Sequence, residues 1–451
     1  MLAARGGVSL DITDEELEGL LREALHKAFS KIKNPGPVII IPPDITRFHS
    51  RAGFLIGIAA RVLESSGYSL GAVMPALGTH MALTEEERLR MFPDIPKDKF
   101  LVHSWRNDVE TLGRLEGSFV GKVTEGKVNY DWPVEVNRQL VNGGFSMILS
   151  IGQVVPHEVT GMANHLKNIF VGLGGKEAID KSHFAGASIG IEKILGRAET
   201  PVRSLFDEGY RRFGSRLPPI FYALTVIGAR SENEAAGRHR RAEPKLPSGK
   251  PEGSLAVRGF YAGFGRECFE NAAALSRQVN VDLVGEPVKK AVVYLSPDEF
   301  RTTWLGNKAV YRTRMAMADG GELLILAPGL LRFGEDPEVD RLIRKFGYRP
   351  GSVILEKTKK EKELGENLSV AAHLIHGSSE ERFTVRYCPP SALSRAEIEA
   401  AGYEWGNLDE AMEHYGIKNL SPGWNTHSDG EKFFFVPNPA LGLWAEKKRF
   451  I

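Results

Sequence analysis

The chain has 451 residues, 42% hydrophobic and 25% charged, a globular composition too long for one ordinary core and pointing to two domains. Its 58 Lys and Arg balance 57 Asp and Glu, so no global field draws it to nucleic acid or to an anionic membrane, and small-molecule partners are expected. Cys268 and Cys388 stand far apart and support neither a zinc ribbon, an iron–sulfur cluster nor a disulfide framework; with no signal-like start and no run of about 18 apolar residues, a cytoplasmic setting is expected.

In chain order, Thr13 and Glu16 form a capping box ahead of Leu17, Leu20, Leu21, Ala24, Leu25 and Phe29, which predicts a helix over 13–31. Val38 to Ile41 is a buried strand stopped by Pro42 and Pro43, followed by the loop Asp44-Ile-Thr46-Arg47 and a helix around Gly53 to Leu63. The pattern repeats with a strand at Ala72 to Met74, the loop Gly78-Thr-His80, and a helix capped by Thr84. A third strand is predicted at Phe100 to His103, leading to Arg106-Asn-Asp108, and a fourth at Met147 to Ile151, closed by Gly152 and Pro156 just before His157. Four strand ends then bring Asp44 with Arg47, His80, Asp108 and His157 to one rim, where open α/β sheets bind ligands. Repeated strand–helix units imply a mostly parallel sheet with helices on both faces.

Helices are predicted at Ala185 to Leu195 and Pro201 to Phe213, a strand at Ile220 to Ile227, and a solvated loop over 229–254 whose basic run Arg238-His-Arg-Arg241 faces water. A return strand at Ala256 to Ala262 and a helix at Arg266 to Arg277 complete the first half. In the second, strands are predicted at Ala291 to Leu295, Glu322 to Ala327, Phe383 to Tyr387 and Phe433 to Val436. Helices are predicted from Trp304 to Ala318, Pro337 to Phe346, Glu361 to Leu374 and Arg395 to Tyr403. The fold class is α/β, with two α/β domains at 1–280 and 281–451, the last segment packing back on the first and the active site in the cleft between them.

The chemistry concentrates between Met147 and Phe184, where His157, His165 and His183 accompany Lys167. His80 and His157, on separate strand ends, suit a reaction needing a proton acceptor on either side of one carbon or its hydroxyl. Arg47 suits a carboxylate, and Asp44 could fix a histidine tautomer or pair with Arg47. Neither a GxGxxG after the first strand nor a GxxxxGK[ST] occurs, so Gly172-Leu-Gly174-Gly175 reads equally as a positive-φ loop or a phosphate contact. Lys167, in Leu166-Lys-Asn-Ile-Phe-Val171, is flanked by large apolar residues; a desolvated amine there would be nucleophilic, and a snorkelling lysine is the alternative. His183 is a candidate metal ligand that needs donors from elsewhere.

Asp44-Ile-Thr46-Arg47, Gly78-Thr-His80 with Thr84-Glu-Glu-Glu87, Val155-Pro-His157, Lys167 ten residues on and His183 sixteen further together resemble the nickel-dependent lactate racemase family, over roughly the first 200 residues. The resemblance implies a nickel-pincer nucleotide (pyridinium-3-thioamide-5-thiocarboxylic acid mononucleotide) tethered to Lys167, with His183 as nickel ligand and Asp44, Thr46, Arg47, Gly172 and Gly174 around the cofactor. It implies hydride removal from the substrate Cα, with His80 and His157 exchanging the hydroxyl proton, and transient contact with cofactor-synthesis enzymes. Two departures stand out. Trp304 and Leu305 replace the tyrosine and glutamine of a family motif ending in a lysine that falls on Lys308, and Ala163-Asn-His-Leu166 stands where the lactate enzyme has Ser-Gly-Gly-Arg. Arg47, Asn164, His165, Trp304 and Lys308 are therefore expected at the substrate, which is expected to be a sugar acid (aldonate) inverted at C2. The alternatives are lactate or another short 2-hydroxy acid, a divalent-metal hydrolase with His80, His157 and His183 as ligands, and a non-catalytic binding paralogue.

Overall fold

The structure is a computed structural model that describes residues 1–230 and 255–450. Nearly all of the expected 229–254 loop, with its Arg238-His-Arg-Arg241 run, lies outside the described residues. The chain divides into two compact units, Met1–Ser182 with Leu195–Val279 and His183–Ile194 with Asn280–Ile451.

In the first unit the strands are β1 (Ala3–Gly6), β2 (Pro37–Ile41), β3 (Ser69–Val73), β4 (Val109–Leu115), β5 (Trp132–Asn137), β6 (Met147–Gln153), β7 (Pro156–His157), β8 (Gly161–Met162), β9 (Ile220–Ala229) and β10 (Leu255–Gly263). The main sheet runs β1-β10-β9-β6-β2-β3, parallel from β9 to β3, with β10 and β1 added antiparallel. Val38 to Ile41 and all of β6 are buried, as continuous apolar runs must be when both faces of a sheet are covered. The helix Asp14–Phe29 starts in the Thr13–Glu16 capping box and lays Leu17, Leu21 and Leu25 in one core with Leu55, Ile58 and Val62 of the helix Ala52–Ser65. Because β6, β2 and β3 are adjacent and parallel, the loops carrying His157, Asp44 and His80 leave the same edge of the sheet.

The expected strand at Phe100–His103 is reduced to one bridge between Phe100 and Val73, because β3 ends at Val73 and offers no further partner. His103 instead turns inward, its Nε2 3.0 Å from the Gly174 carbonyl and its Nδ1 3.0 Å from the Asn137 amide. Asp108 does not join the rim: its carbonyl accepts from Arg138 N–H at the mouth of the antiparallel β4–β5 hairpin. Trp132 of that hairpin is buried with its ring 5.6 Å from Phe206, which ties it to the helix Pro201–Phe213. The helix expected at Ala185–Leu195 runs instead from Lys176 to Ile189 and stops at Gly190, whose φ of +94° a side chain would resist.

The second unit contains β11 (Val281–Val284), β12 (Val288–Tyr294), β13 (Met317–Leu326), β14 (Thr384–Cys388), β15 (Glu404–Trp405), β16 (Gly423–Thr426), β17 (Lys432–Val436) and β18 (Leu443–Glu446). Its sheet runs β15-β14-β13-β12-β17-β16 and is parallel except at β16. The helix expected from Trp304 to Ala318 is split into Thr303–Gly306 and Lys308–Thr313, and β13 already begins at Met317. At the break, the Asn307 side chain is engaged by the Tyr387 and Tyr403 hydroxyls. The helix expected at Glu361–Leu374 is likewise broken, into Lys362–Gly365 and Leu368–His376, behind a separate helix at Gly351–Lys360. In the final segment β18 pairs with β11 of the same unit.

Candidate active site

The site builds outward from the end of β2. Pro42 and Pro43 stop the ladder, and the next residue, Asp44, caps the turn Ile45–Ser50, its Oδ1 accepting from the Thr46 N–H at 3.1 Å and the Thr46 hydroxyl at 2.5 Å. Its other oxygen lies 2.5 Å from Nδ1 of His80. Asp44 is buried while the His80 side chain is 60% exposed, so a fixed carboxylate holds a ring that reaches into solvent. Burial alone would raise the Asp44 pKa; the bond and charge of His80, the Thr46 hydroxyl and the Lys167 charge outweigh it and hold the carboxyl well below its usual range. Asp44 therefore pairs with the histidine, in line with the tautomer-fixing role. In the neutral ring, this acceptor places the His80 proton on Nδ1 and leaves Nε2 with the lone pair.

Lys167 sits in the short helix Leu166–Phe170, half-buried by surface exposure and closely surrounded by protein. Desolvation lowers its pKa, opposed by Asp44 and Glu158 and assisted by Arg47 and Arg203. The loop behind it is fastened to the His80 loop, since Gly78 N–H donates to the Gly172 carbonyl at 2.8 Å. A Cβ on Gly172 would stand 2.6 Å from Cβ of Ala76, and one on Gly174 would strike the Phe170 carbonyl. Neither glycine has positive φ, so close packing, and not a left-handed turn, demands them. At the adjoining helix start, Glu135 already accepts from the Ala178 N–H at 3.2 Å, placing a carboxylate where a phosphate would otherwise seek N–H groups.

His157 is oriented the opposite way to His80. Its Nδ1 accepts from the backbone N–H groups of Val159 and Thr160 at 3.2 and 3.4 Å, which in the neutral ring puts the proton on Nε2. One histidine thus presents a bare nitrogen and the other an N–H. Their donor atoms do not converge as metal ligands: among the described residues no compact group of metal-capable side chains contains both.

Asn164 and His165 are corrected from substrate contacts to internal supports. Both have positive φ, +69° and +58°. Asn164 Oδ1 is consumed by Ser150 Oγ, the His165 N–H and Asn168 Nδ2, at 3.3, 2.7 and 3.1 Å. The His165 ring points into the core, 4.3 Å from Tyr222 and 5.2 Å from Phe269, and burial pushes its pKa well down. Arg203, buried over the Phe269 ring, donates to the carbonyls of Met162 at 2.5 Å and Asn164 at 3.2 Å and so clamps the turn that presents Lys167. Asn164→Gly relaxes φ by about 1 kcal/mol but strands three buried donors, each worth about 1–3 kcal/mol. Urea denaturation is expected to show a net loss of at least about 2 kcal/mol.

The sequence reading also passed over His49, Gln153, Glu158 and Arg203. Burial and the Arg47 charge push His49 down to about 4, partly offset by its contact with Gln153. The Gln153 Oε1 is buried without a well-aligned hydrogen bond among the described residues. The spacing of His49 from the Asp44–Arg47 motif was a visible hint; Glu158 and Arg203 are tied to Lys167 or to its turn, and Gln153 to His49, only through the fold. Since the folded pKa of His49 is depressed below the unfolded 6.5, its stabilising effect is complete above pH 6.5 and is lost as pH falls toward 4. The loss is about 3 kcal/mol and should be absent from a His49→Gln variant in pH-dependent urea melts. His183, on the helix Lys176–Ile189, and Trp304 and Lys308, on the two short helices around Asn307, belong to the second unit. Trp304 stacks on His373 at 4.2 Å.

The family model for the lactate racemase N-terminal domain matches residues 13–192, the stretch that holds Asp44, Arg47, His80, His157, Lys167 and His183. Those residues belong to the lactate racemase N-terminal domain family. Two solved structures share the fold over nearly the whole chain. A Thermotoga maritima protein is 23% identical, with 96% of this chain and 100% of that one covered and a TM-score of 0.73. The lactate racemase apoprotein from Thermoanaerobacterium thermosaccharolyticum is 14% identical, with 98% and 94% covered and a TM-score of 0.67. At those identities they speak to fold alone, so the lactate racemase-like assignment rests on the domain match. No curated protein matches the chain.

Proposed function

We propose that this chain is an isomerase that inverts the C2 centre of a 2-hydroxy carboxylate, carrying a nickel-pincer nucleotide on Lys167. The observation that carries the reading is the Lys167 amine, presented on a turn that Arg203 clamps, where burial and the Arg47 charge press it toward its neutral form against the charges of Asp44 and Glu158. A neutral amine is what attachment to a thioacid requires, and an imidazole such as that of His183 is the kind of nitrogen donor a nickel group of this type takes. Arg47 would take an anionic group of cofactor or substrate, with the buried Gln153 carbonyl as a neighbouring acceptor. When bound, the cofactor supplies a hydride acceptor for the substrate Cα. His80 Nε2, with its lone pair fixed by Asp44, takes the hydroxyl proton, and His157, with Nε2–H, returns one to the same oxygen.

Asn164 and His165 no longer argue for a polar substrate, so a preference for aldonates over lactate stands on Trp304 and Lys308 alone. The test is co-production with cofactor-synthesis enzymes, followed by intact mass, nickel content and chiral chromatography of lactate and aldonates. An adduct on Lys167 with inversion at C2 is expected. An unmodified Lys167 together with inertness toward every 2-hydroxy acid tried would overturn the reading.

A further inference from the structure

The second unit carries a group of metal-ligating side chains that this reaction leaves unused. The helix Leu408–Tyr415 brings His414 to its last turn, and the tight connection between the antiparallel strands β16 and β17 holds His427, Asp429 and Glu431. That connection is fixed: His427 N–H donates to the Glu431 carbonyl at 2.8 Å, Gly430 N–H to the His427 carbonyl at 3.0 Å, and Glu431 N–H to Asp429 Oδ1 at 2.8 Å. Gly430 allows the turn with φ of +93°. Tyr415, next to His414, donates its hydroxyl to Glu431 at 2.8 Å and packs its ring 5.0 Å from Phe433, so helix and hairpin are held in register.

Within that frame the His414 and His427 rings lie 4.1 Å apart, and one ligand atom from each of His414, His427 and Asp429 falls within 4.8 Å of the others. His427 Nδ1 is shut off from solvent, 3.1 Å from Asp429 Oδ2 but without an aligned hydrogen bond. Glu431 Oε2 is 3.9 Å from His414 Nε2. No other group of three or more His, Cys, Asp or Glu among the described residues is this compact.

We propose that His414, His427 and Asp429 form a binding site for a divalent transition metal of the zinc class, with Glu431 or water as the fourth ligand. Two imidazole nitrogens and a carboxylate oxygen are the donor set zinc takes, and they discriminate against magnesium and calcium, which favour oxygen alone. Zinc bonds of about 2.0–2.2 Å require the donors to close by roughly an ångström, which rotation of partly exposed side chains permits. The ion would bridge the helix to the edge hairpin, far along the chain from the residues assigned to nickel, and the inference stands whether or not the racemase reading does.

The experiment is calorimetric titration of the chelator-stripped full chain with Zn²⁺ and, separately, Mg²⁺. One Zn²⁺ per chain is expected, with no Mg²⁺ uptake, and the site should persist in His183→Ala. His414→Ala and His427→Ala should each weaken it by at least about a hundredfold. Zinc should raise the melting temperature of the wild type and of His183→Ala but not of His427→Ala, while all three melt alike in chelator. A wild type that takes up no zinc, or an isotherm unchanged in the His414→Ala, His427→Ala double variant, overturns the assignment.

Discussion

Lys167→Arg yields a folded protein with no measurable inversion of any 2-hydroxy acid. Arginine keeps the positive charge and nearly the reach, so Asp44 still faces a cation, but a guanidinium does not give up its proton and cannot act as the nucleophilic amine. Loss of the attachment forfeits the acceleration as a whole, at least about 10⁶-fold for an ordinary enzyme. Lys167→Met separates the chemistry from the fold in a second way. A lysine whose folded pKa is depressed makes the native state bind fewer protons than the unfolded one, so it weakens the fold progressively as pH falls through the window between the two values, and fully below it. Removing the amine removes that penalty, and Asp44 retains His80 and Thr46 as partners. At neutral pH Lys167→Met should therefore melt at or above the wild-type temperature and Lys167→Arg near it, while intact mass shows no adduct in either. Substantial activity in either would end the tether assignment.

What the sequence made legible follows from how local each signal is. The Thr13–Glu16 capping box, the Thr84 cap and the apolar runs of β2 and β6 are settled by a few neighbouring residues, and each appears where it was expected. Asp44 and His80 are 36 residues apart, yet parallel pairing of β2 with β3 brings their loops together, so their meeting was readable from strand ends alone. The failures are non-local. Phe100–His103 has strand composition, but the sheet has already run out of partner beside it. Asn164 and His165 look like added polar groups, and only the distant Tyr222, Phe269 and Arg203 show that the ring is core and the turn is clamped from outside. Gly172 and Gly174 were open to a conformational reading because sequence cannot distinguish a glycine needed for φ from one needed for room.

Asp44→Asn and His80→Asn each lower kcat/KM by about 10²–10⁴, the usual worth of a positioned acid–base group, and the double variant is no slower than the worse single one. The reason is that the pair acts as a unit: the carboxylate sets the proton on Nδ1, and only then does Nε2 offer its lone pair. An asparagine can present its NH₂ to Nδ1, which turns the ring into the opposite tautomer, the state already adopted by His157. Two N–H groups and no acceptor then face the substrate hydroxyl. Because a substitution cannot change the equilibrium constant of the reaction, kcat/KM must fall by the same factor in both directions, and any asymmetry between the two histidines can show only in kcat and KM taken separately. Asp44 also caps the turn Ile45–Ser50, so a purely structural role would produce similar losses by loosening that turn. Asp44→Ser tests this, since serine is as good a cap but cannot hold the His80 ring. It should keep the melting temperature and lose the rate; full activity in Asp44→Ser, or additive losses in the Asp44→Asn, His80→Asn double variant, would show that the carboxylate and the imidazole do not act together.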